Sequence, residues 1–139
     1  MSNYEIIDNA YSAADREEMF GFVRNSLFKL GWRDQHWDDV IGQRRLMYSH
    51  YTPEDVAAFG VFSRHNNQRI TELINGRTPT QTVINLAEPA NSFHPHTHPD
   101  KEVFLYYCNH RWNPEWAGET ILYTDHDYEA EHAISYKPG

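Results

Sequence analysis

The sequence predicts an α+β domain in which helices come first and closely spaced strands follow. In about the first half, apolar residues recur at helical spacing behind N-terminal capping residues, whereas from residue 78 onward short β-prone runs alternate with turn-rich loops. The length of 139 residues fits one domain, with a helical part at about 1–77 and a β part at about 78–139. No internal repeat or low-complexity linker divides this domain.

The first helix is predicted over residues 13–30. Ser12 and Asp15 form a pattern similar to a capping box, in which the serine oxygen accepts from an unpaired backbone N–H and the acid favours the positive end of the helix. Gly31 follows as a stop signal. The apolar stripe expected to face the core consists of Met19, Val23, Leu27 and Leu30.

Two further helices are predicted before the β part. Thr52-Pro-Glu-Asp55 combines a capping threonine, a proline suited to the first turn and acids behind it. Residues 63–74 form the third helical segment, which ends at Asn75-Gly76. Between the first two helices, residues 32–51 show no clear period and are interpreted as loop with a short helix.

Four strands are predicted in the β part, and the second of them is expected to be buried because it is an unbroken apolar run. They lie at residues 80–86, 103–108, 120–123 and 132–136.

Composition excludes several classes of partner. The 20 acidic and 12 basic residues give a formal charge of -8, and no Lys/Arg run concentrates positive charge, so nucleic acid and anionic membranes are not expected partners. No apolar stretch approaches the roughly 20 residues that span a bilayer. Cys108 is the single cysteine, which rules out an internal disulfide and fits a reducing compartment. We therefore expect a cytoplasmic, soluble protein.

A cluster of histidines, His94-Pro-His-Thr-His-Pro-Asp100, is the strongest chemical signal in the chain. In extended backbone, residues two apart share a face, and imidazole with carboxylate suits iron, zinc, nickel or manganese. Two ligand sets fit the spacing. One is His98 with Asp100, and the other is His96, His98 and Glu102, the pattern of cupins. A surface loop that binds nothing is the third interpretation.

The residues after the cluster resemble a known family. Leu105-Tyr-Tyr-Cys-Asn109, followed by Trp112-Asn-Pro-Glu-Trp-Ala-Gly-Glu-Thr120, resembles a strand and turn of the 2-oxoglutarate/Fe(II)-dependent dioxygenases of the prolyl 4-hydroxylase-like branch. The resemblance covers most of the chain loosely and residues 83–123 specifically. Cupins do not carry this second motif, so the resemblance favours the pair His98 and Asp100.

The resemblance implies a role for each matching residue. His98 and Asp100 match two iron ligands, and Tyr107 matches a residue that hydrogen-bonds a carboxylate of 2-oxoglutarate; Thr120, which closes the turn, is placed with it at the co-substrate. Tyr106 would point to the opposite face as packing. Ala117 stands where the family has the first of two glycines, and it is expected to be tolerated if its φ is negative.

The implied protein is an Fe(II)-dependent hydroxylase built on a double-stranded β-helix, or jelly roll, preceded by helices. It would use dioxygen and convert 2-oxoglutarate to succinate and CO2 while hydroxylating a C–H bond. The substrate would be a small molecule or peptide, including free or peptidyl amino acids, because specificity in such a fold resides in loops.

The end of the sequence departs from the family pattern. There, a run like Lys137-Pro-Gly139 is followed by further strands, a distal histidine ligand and a cation that pairs with 2-oxoglutarate. We therefore expect a fragment of a domain whose last strands are missing, with the strand at 132–136 at an open edge. The alternative is a non-catalytic interaction domain. Spacing assigns no replacement ligand among His110, His126 and His132.

Overall fold

The computed structural model describes residues 4–31, 46–60, 67–77, 79–88, 95–98, 101–124, 127 and 129–139. Its helices and strands form an α+β arrangement with two small antiparallel sheets, neither of which is closed within these residues. The α+β class predicted from the sequence is therefore confirmed at this coarse level. In the same part of the chain, no helix is both long and apolar enough to cross a membrane.

Helix α1 spans Ala13–Arg24. The predicted cap is confirmed, because the Ser12 oxygen accepts from the Asp15 N–H at 3.1 Å while its hydroxyl donates to the Asp15 carboxylate at 2.6 Å. The predicted extension to residue 30 is wrong. The Ser26 hydroxyl donates to the Phe22 carbonyl at 2.9 Å and so competes with the helical backbone pattern.

The predicted apolar stripe is only partly buried as a result. Met19 is buried, but the helix ends before Leu27 and Leu30, and these two side chains are 86% and 70% exposed. Leu30 instead belongs to a two-residue strand, β1 (Lys29–Leu30).

Strand β1 begins a three-stranded antiparallel sheet with the order β1-β2-β3. β2 spans Met47–Tyr51, which corrects the interpretation of residues 32–51 as loop with a short helix; residues 32–45 lie outside the described part. β3 spans Thr82–Leu86, inside the predicted strand. The aromatic residues of β2 and the β-branched residues of β3 both favour strand formation.

In the order of the chain, helices α2 and α3 come between β2 and β3. α2 spans Pro53–Phe59 behind a complete Thr52 and Asp55 capping box, as predicted. α3 spans Gln68–Ile74 and ends before Asn75, also as predicted. The expected start of the third helical segment at residue 63 lies outside the described residues.

The second sheet pairs β4 (Thr120–Tyr123) with β5 (Ala130–Ile134). β4 has its predicted bounds, while β5 begins two residues earlier than predicted. Only β4 pairs with β5 within the described residues.

The predicted buried strand at 103–108 is wrong. Residues 101–109 form no strand, and the side chains of Val103, Phe104 and Leu105 are 54%, 42% and 60% exposed. The residue types favour a strand, but strand formation also depends on pairing with a second strand, and residues 101–109 belong to neither of the two described sheets. A backbone hydrogen bond, from the Gly139 N–H to the Tyr107 carbonyl at 3.1 Å, joins this segment to the end of the chain.

The hydrophobic core lies in the helical part. Its buried cluster joins the segment before α1 to α1 and α3, and Tyr106 packs against it from the β part. The members of the cluster are Ala10, Tyr11, Met19 and Ile70.

Candidate functional site

Side chains of the segment 101–110 contact two separate groups of residues. Tyr106 meets Tyr11 edge to face, with ring centroids 5.0 Å apart, on the side of the helical core. Tyr107 stacks on Tyr136, with ring centroids 4.3 Å apart. Neighbouring residues in extended backbone point to opposite faces. The expectation that Tyr106 packs while Tyr107 points to the other face is therefore confirmed.

The hydroxyl of Tyr107 contacts the hydroxyl of Thr120 in a hydrogen bond between partly buried groups. Thr120 is the first residue of β4, so the second sheet fixes its position. The two side chains are 13 residues apart in the chain. The structure thus brings together the two residues expected at the co-substrate carboxylate.

Aromatic stacking supports the Tyr107 ring from behind. Trp112 stacks on Tyr136, with ring centroids 3.8 Å apart and planes inclined by 12°, and Trp116 meets Trp112 edge to face. Tyr136 also accepts a hydrogen bond from the Asn109 N–H at 3.3 Å. Burial raises the pKa of Tyr136 to about 12. Tyr136 is a site residue that the sequence analysis missed; only its place in the β-prone run 132–136 indicated that it packs.

The turn at Ala117 and Gly118 closes this aromatic group. The Trp112 indole N–H donates to the Ala117 carbonyl at 2.7 Å. Gly118 has φ +99°, and a Cβ there would lie 2.7 Å from Trp112 Cζ2, so only glycine fits without movement. Ala117 has φ +55° and ψ -144°, so the negative φ at which alanine would be tolerated is not present. The alanine therefore occupies backbone space that suits glycine, the residue the family carries there.

The histidine cluster is described at two of its three histidines. Nε2 of His96 lies 3.0 Å from Nε2 of His98, and the rings meet edge to face with centroids 4.7 Å apart. Both side chains are exposed. His94 and Asp100 lie outside the described residues, so the prediction that Asp100 binds iron together with His98 stays a prediction.

The cupin-like ligand set is not assembled. The Glu102 carboxylate forms an ion pair with Arg77, which follows α3. Within the described ranges, no three His, Cys, Asp or Glu side chains lie close enough together to hold a metal ion. Glu102 is therefore engaged by a cation rather than grouped with His96 and His98.

Two other described histidines, His110 and His132, have aromatic neighbours. The His110 ring lies 4.0 Å from that of Phe20 and its Nε2 is 3.5 Å from a Glu17 carboxylate oxygen. The His132 ring lies 5.3 Å from that of Tyr4. His126 lies outside the described residues.

A small cavity of about 150 Å³ lies beside the segment 101–110, and Tyr107 is not among its lining residues. It opens between α1 and residues 106–110, and Arg16 and Cys108 are among its lining residues. Burial raises the pKa of the Cys108 thiol to about 11, so the thiol is protonated at neutral pH and is a poor nucleophile. The cavity was not predicted, although Tyr106 and Cys108 share a face by their spacing.

Comparison with protein-family models, with curated proteins and with solved structures finds no match for this chain.

Proposed function

We propose that the protein is a non-haem Fe(II) and 2-oxoglutarate-dependent dioxygenase that hydroxylates a small-molecule or peptide substrate. The observation that carries the proposal is the contact between the Tyr107 and Thr120 hydroxyls. These residues come from separate motifs that resemble the same family, and they meet through tertiary structure rather than through sequence proximity. The proposal includes a double-stranded β-helix, of which β4 and β5 would form part.

The hydroxyl pair has the chemistry needed to receive a carboxylate. Each hydroxyl carries one proton, and only one of these is used in the contact between them. The other proton remains to donate to a carboxylate oxygen of 2-oxoglutarate. Because Tyr107 and Thr120 are partly buried, a hydrogen bond to a charged group there is less weakened by water than one at the surface.

The aromatic group behind Tyr107 restricts its orientation. Tyr136 covers one face of the Tyr107 ring, while Trp112 covers the far face of Tyr136. A ring held in this way positions its hydroxyl without a large loss of side-chain freedom on binding. The role we assign to Tyr107 is to bind and orient the co-substrate.

His98 and Asp100 would hold the iron in this proposal. Imidazole nitrogen and carboxylate oxygen are donors that suit Fe(II), so the residue types fit the metal. When bound, iron together with 2-oxoglutarate and dioxygen supplies the oxidising chemistry, and the protein supplies binding and orientation.

The experiment compares Tyr107→Phe with Tyr106→Phe. Each variant loses one phenolic oxygen, but Tyr106 faces the helical core instead of Thr120. Binding of 2-oxoglutarate is measured by calorimetry with Fe(II) in the absence of oxygen. A hydrogen bond to a charged group contributes about 1.5–3 kcal/mol, so Tyr107→Phe should weaken binding by about 10-fold or more. Tyr106→Phe should leave it unchanged.

Turnover of 2-oxoglutarate is measured with the full-length protein that the gene encodes. The expected result is succinate formed in step with 2-oxoglutarate consumption, dependent on Fe(II) and abolished by His98→Ala. Equal 2-oxoglutarate affinities in the two tyrosine variants, or no binding by the unmodified protein, would contradict the proposal.

A further inference from the structure

The facing ring nitrogens of His96 and His98 indicate a ligand role that the resemblance does not assign. We propose that both histidines bind the same divalent transition-metal ion through their Nε2 atoms, as neighbouring ligands. His96 thereby becomes a metal ligand beside His98. The inference rests on the proposed function for the presence of a metal, but it does not depend on 2-oxoglutarate chemistry.

The distance between the two nitrogens supports this arrangement. A first-row metal lies about 2.1 Å from an imidazole nitrogen, so two nitrogens at a right angle around it are about 3.0 Å apart. For a tetrahedral angle the same bond length gives about 3.4 Å. The observed separation of His96 Nε2 and His98 Nε2 is 3.0 Å. The pair therefore fits adjacent positions of an octahedral or square-planar ion.

The orientation of the rings is also compatible with a shared ion. The ring planes are inclined by 75°, with centroids 4.7 Å apart, so the rings converge at their Nε2 edges without stacking. Both side chains are exposed. Imidazole pairs suit Fe(II), Ni(II) and Cu(II), which accept such near-right-angle geometries.

A direct hydrogen bond explains the same distance in the absence of metal. One Nε2 then carries a proton and donates it to the other, and each ring keeps a neutral charge. For both nitrogens to bind a metal, the donor ring moves its proton to Nδ1, which changes no net charge. The hydrogen bond thus holds the two Nε2 atoms at the separation that a shared metal ion requires.

The experiment counts nitrogen ligands with Cu(II) as the probe. One equivalent of Cu(II) is added to the protein, and electron paramagnetic resonance resolves the coupling of each equatorial nitrogen. Nickel affinity is measured in parallel by calorimetry. Because the chain has nine histidines, variants identify which of them bind the copper. The variants are His96→Ala, His98→Ala and, as a matched control, His50→Ala, which removes an exposed histidine of β2.

We expect coupling to two histidine nitrogens in the unmodified protein and one fewer in His96→Ala and in His98→Ala. Nickel affinity should fall at least 10-fold in each of these variants and stay unchanged in His50→Ala. Unchanged copper coupling and nickel affinity in His96→Ala would overturn the inference and leave His96 as a hydrogen-bond partner of His98.

An Asp100→Asn variant separates this inference from the proposed function. If His98→Ala and Asp100→Asn abolish metal binding while His96→Ala does not, the inference fails and the proposed iron ligands stand. If both histidine variants lose metal while the unmodified protein does not bind 2-oxoglutarate, the inference stands and the proposed function fails.

Discussion

The helical part and the β part of this protein are held together differently. Every buried residue within the described ranges lies between Ala10 and Ile70, whereas the side chains that form the candidate co-substrate site come from residues 107–136. The helical part is organised by apolar burial and helix caps. Around the site, aromatic stacking and a few polar contacts replace a buried core. The difference teaches that the buried apolar residues and the candidate site lie in different parts of the chain.

The largest expected effect tests this contrast with one substitution made in each region. Ile70 on α3 is 1% exposed and Ile121 on β4 is 43% exposed. Ile70→Ala should lower the free energy of unfolding by about 2–5 kcal/mol because it leaves a cavity in the core. Ile121→Ala removes the same atoms from a half-exposed position and should cost less than about 1 kcal/mol.

Urea unfolding followed by circular dichroism measures both losses. Similar losses in the two variants would show that the β part is as tightly packed as the helical part, and the contrast would then be wrong.

The two regions also differ in how well the sequence predicts them. The caps at Ser12 and Thr52 were predicted correctly because each depends on hydrogen bonds within four residues. The end of α1 was not predicted correctly. One reason is that Ser26 also takes part in a distant contact, in which the Tyr51 hydroxyl donates to Ser26 Oγ at 2.7 Å. The apolar period continues past Arg24, but Ser26 combines this distant contact with its local bond to the Phe22 carbonyl where the helix ends.

Predictions for the candidate site were limited in the same way. The alternation of Tyr106 and Tyr107 follows from local backbone geometry and was predicted. The positive φ of Ala117 was not, because the sign of φ depends on a turn that also brings the Ala117 carbonyl to the Trp112 indole. The prediction of a strand at 103–108 was wrong because strand pairing depends on residues that are far away in the chain. Hydrogen bonds between residues that are close in the chain can be predicted from the sequence, whereas the pairing of distant strands cannot.

The second prediction concerns the turn beside the aromatic group. Gly118→Ala should lower the free energy of unfolding by about 1–3 kcal/mol, because its Cβ would clash with Trp112 and its φ of +99° strains an alanine. The displaced indole should also weaken the near-ultraviolet circular dichroism signal of the aromatic stack.

Ala117→Gly is the matched change in the opposite direction. It relieves an alanine held at φ +55° and should raise stability by up to about 1 kcal/mol, after the greater freedom of glycine in the unfolded chain is subtracted. A loss of stability in Ala117→Gly as large as that in Gly118→Ala would show that the turn does not strain Ala117.

The smallest expected effect concerns Cys108, which lies where the β part faces the helices. Burial raises the pKa of its thiol from 9 to about 11, so the folded protein holds this proton more tightly than the unfolded chain does. The resulting stability is fully present below pH 9 and is lost as the pH rises toward 11. Cys108→Ala should therefore make the fall in stability between pH 9 and 10 shallower.

Alkylation by iodoacetamide gives an independent measure of the same burial. Because burial raises the pKa of this thiol to about 11, the folded protein has a much smaller thiolate fraction at pH 8 than the urea-unfolded chain, and its alkylation should be at least about 10-fold slower. Tyr106→Phe serves as the control for pH-dependent stability, since burial also raises the pKa of Tyr106, to about 12, and its contribution is lost at higher pH. Rapid alkylation at pH 8 would mean that the segment 101–110 does not stay packed against α1. The two environments of that segment would then not be separate in solution, and the aromatic stack alone would hold Tyr107 in place.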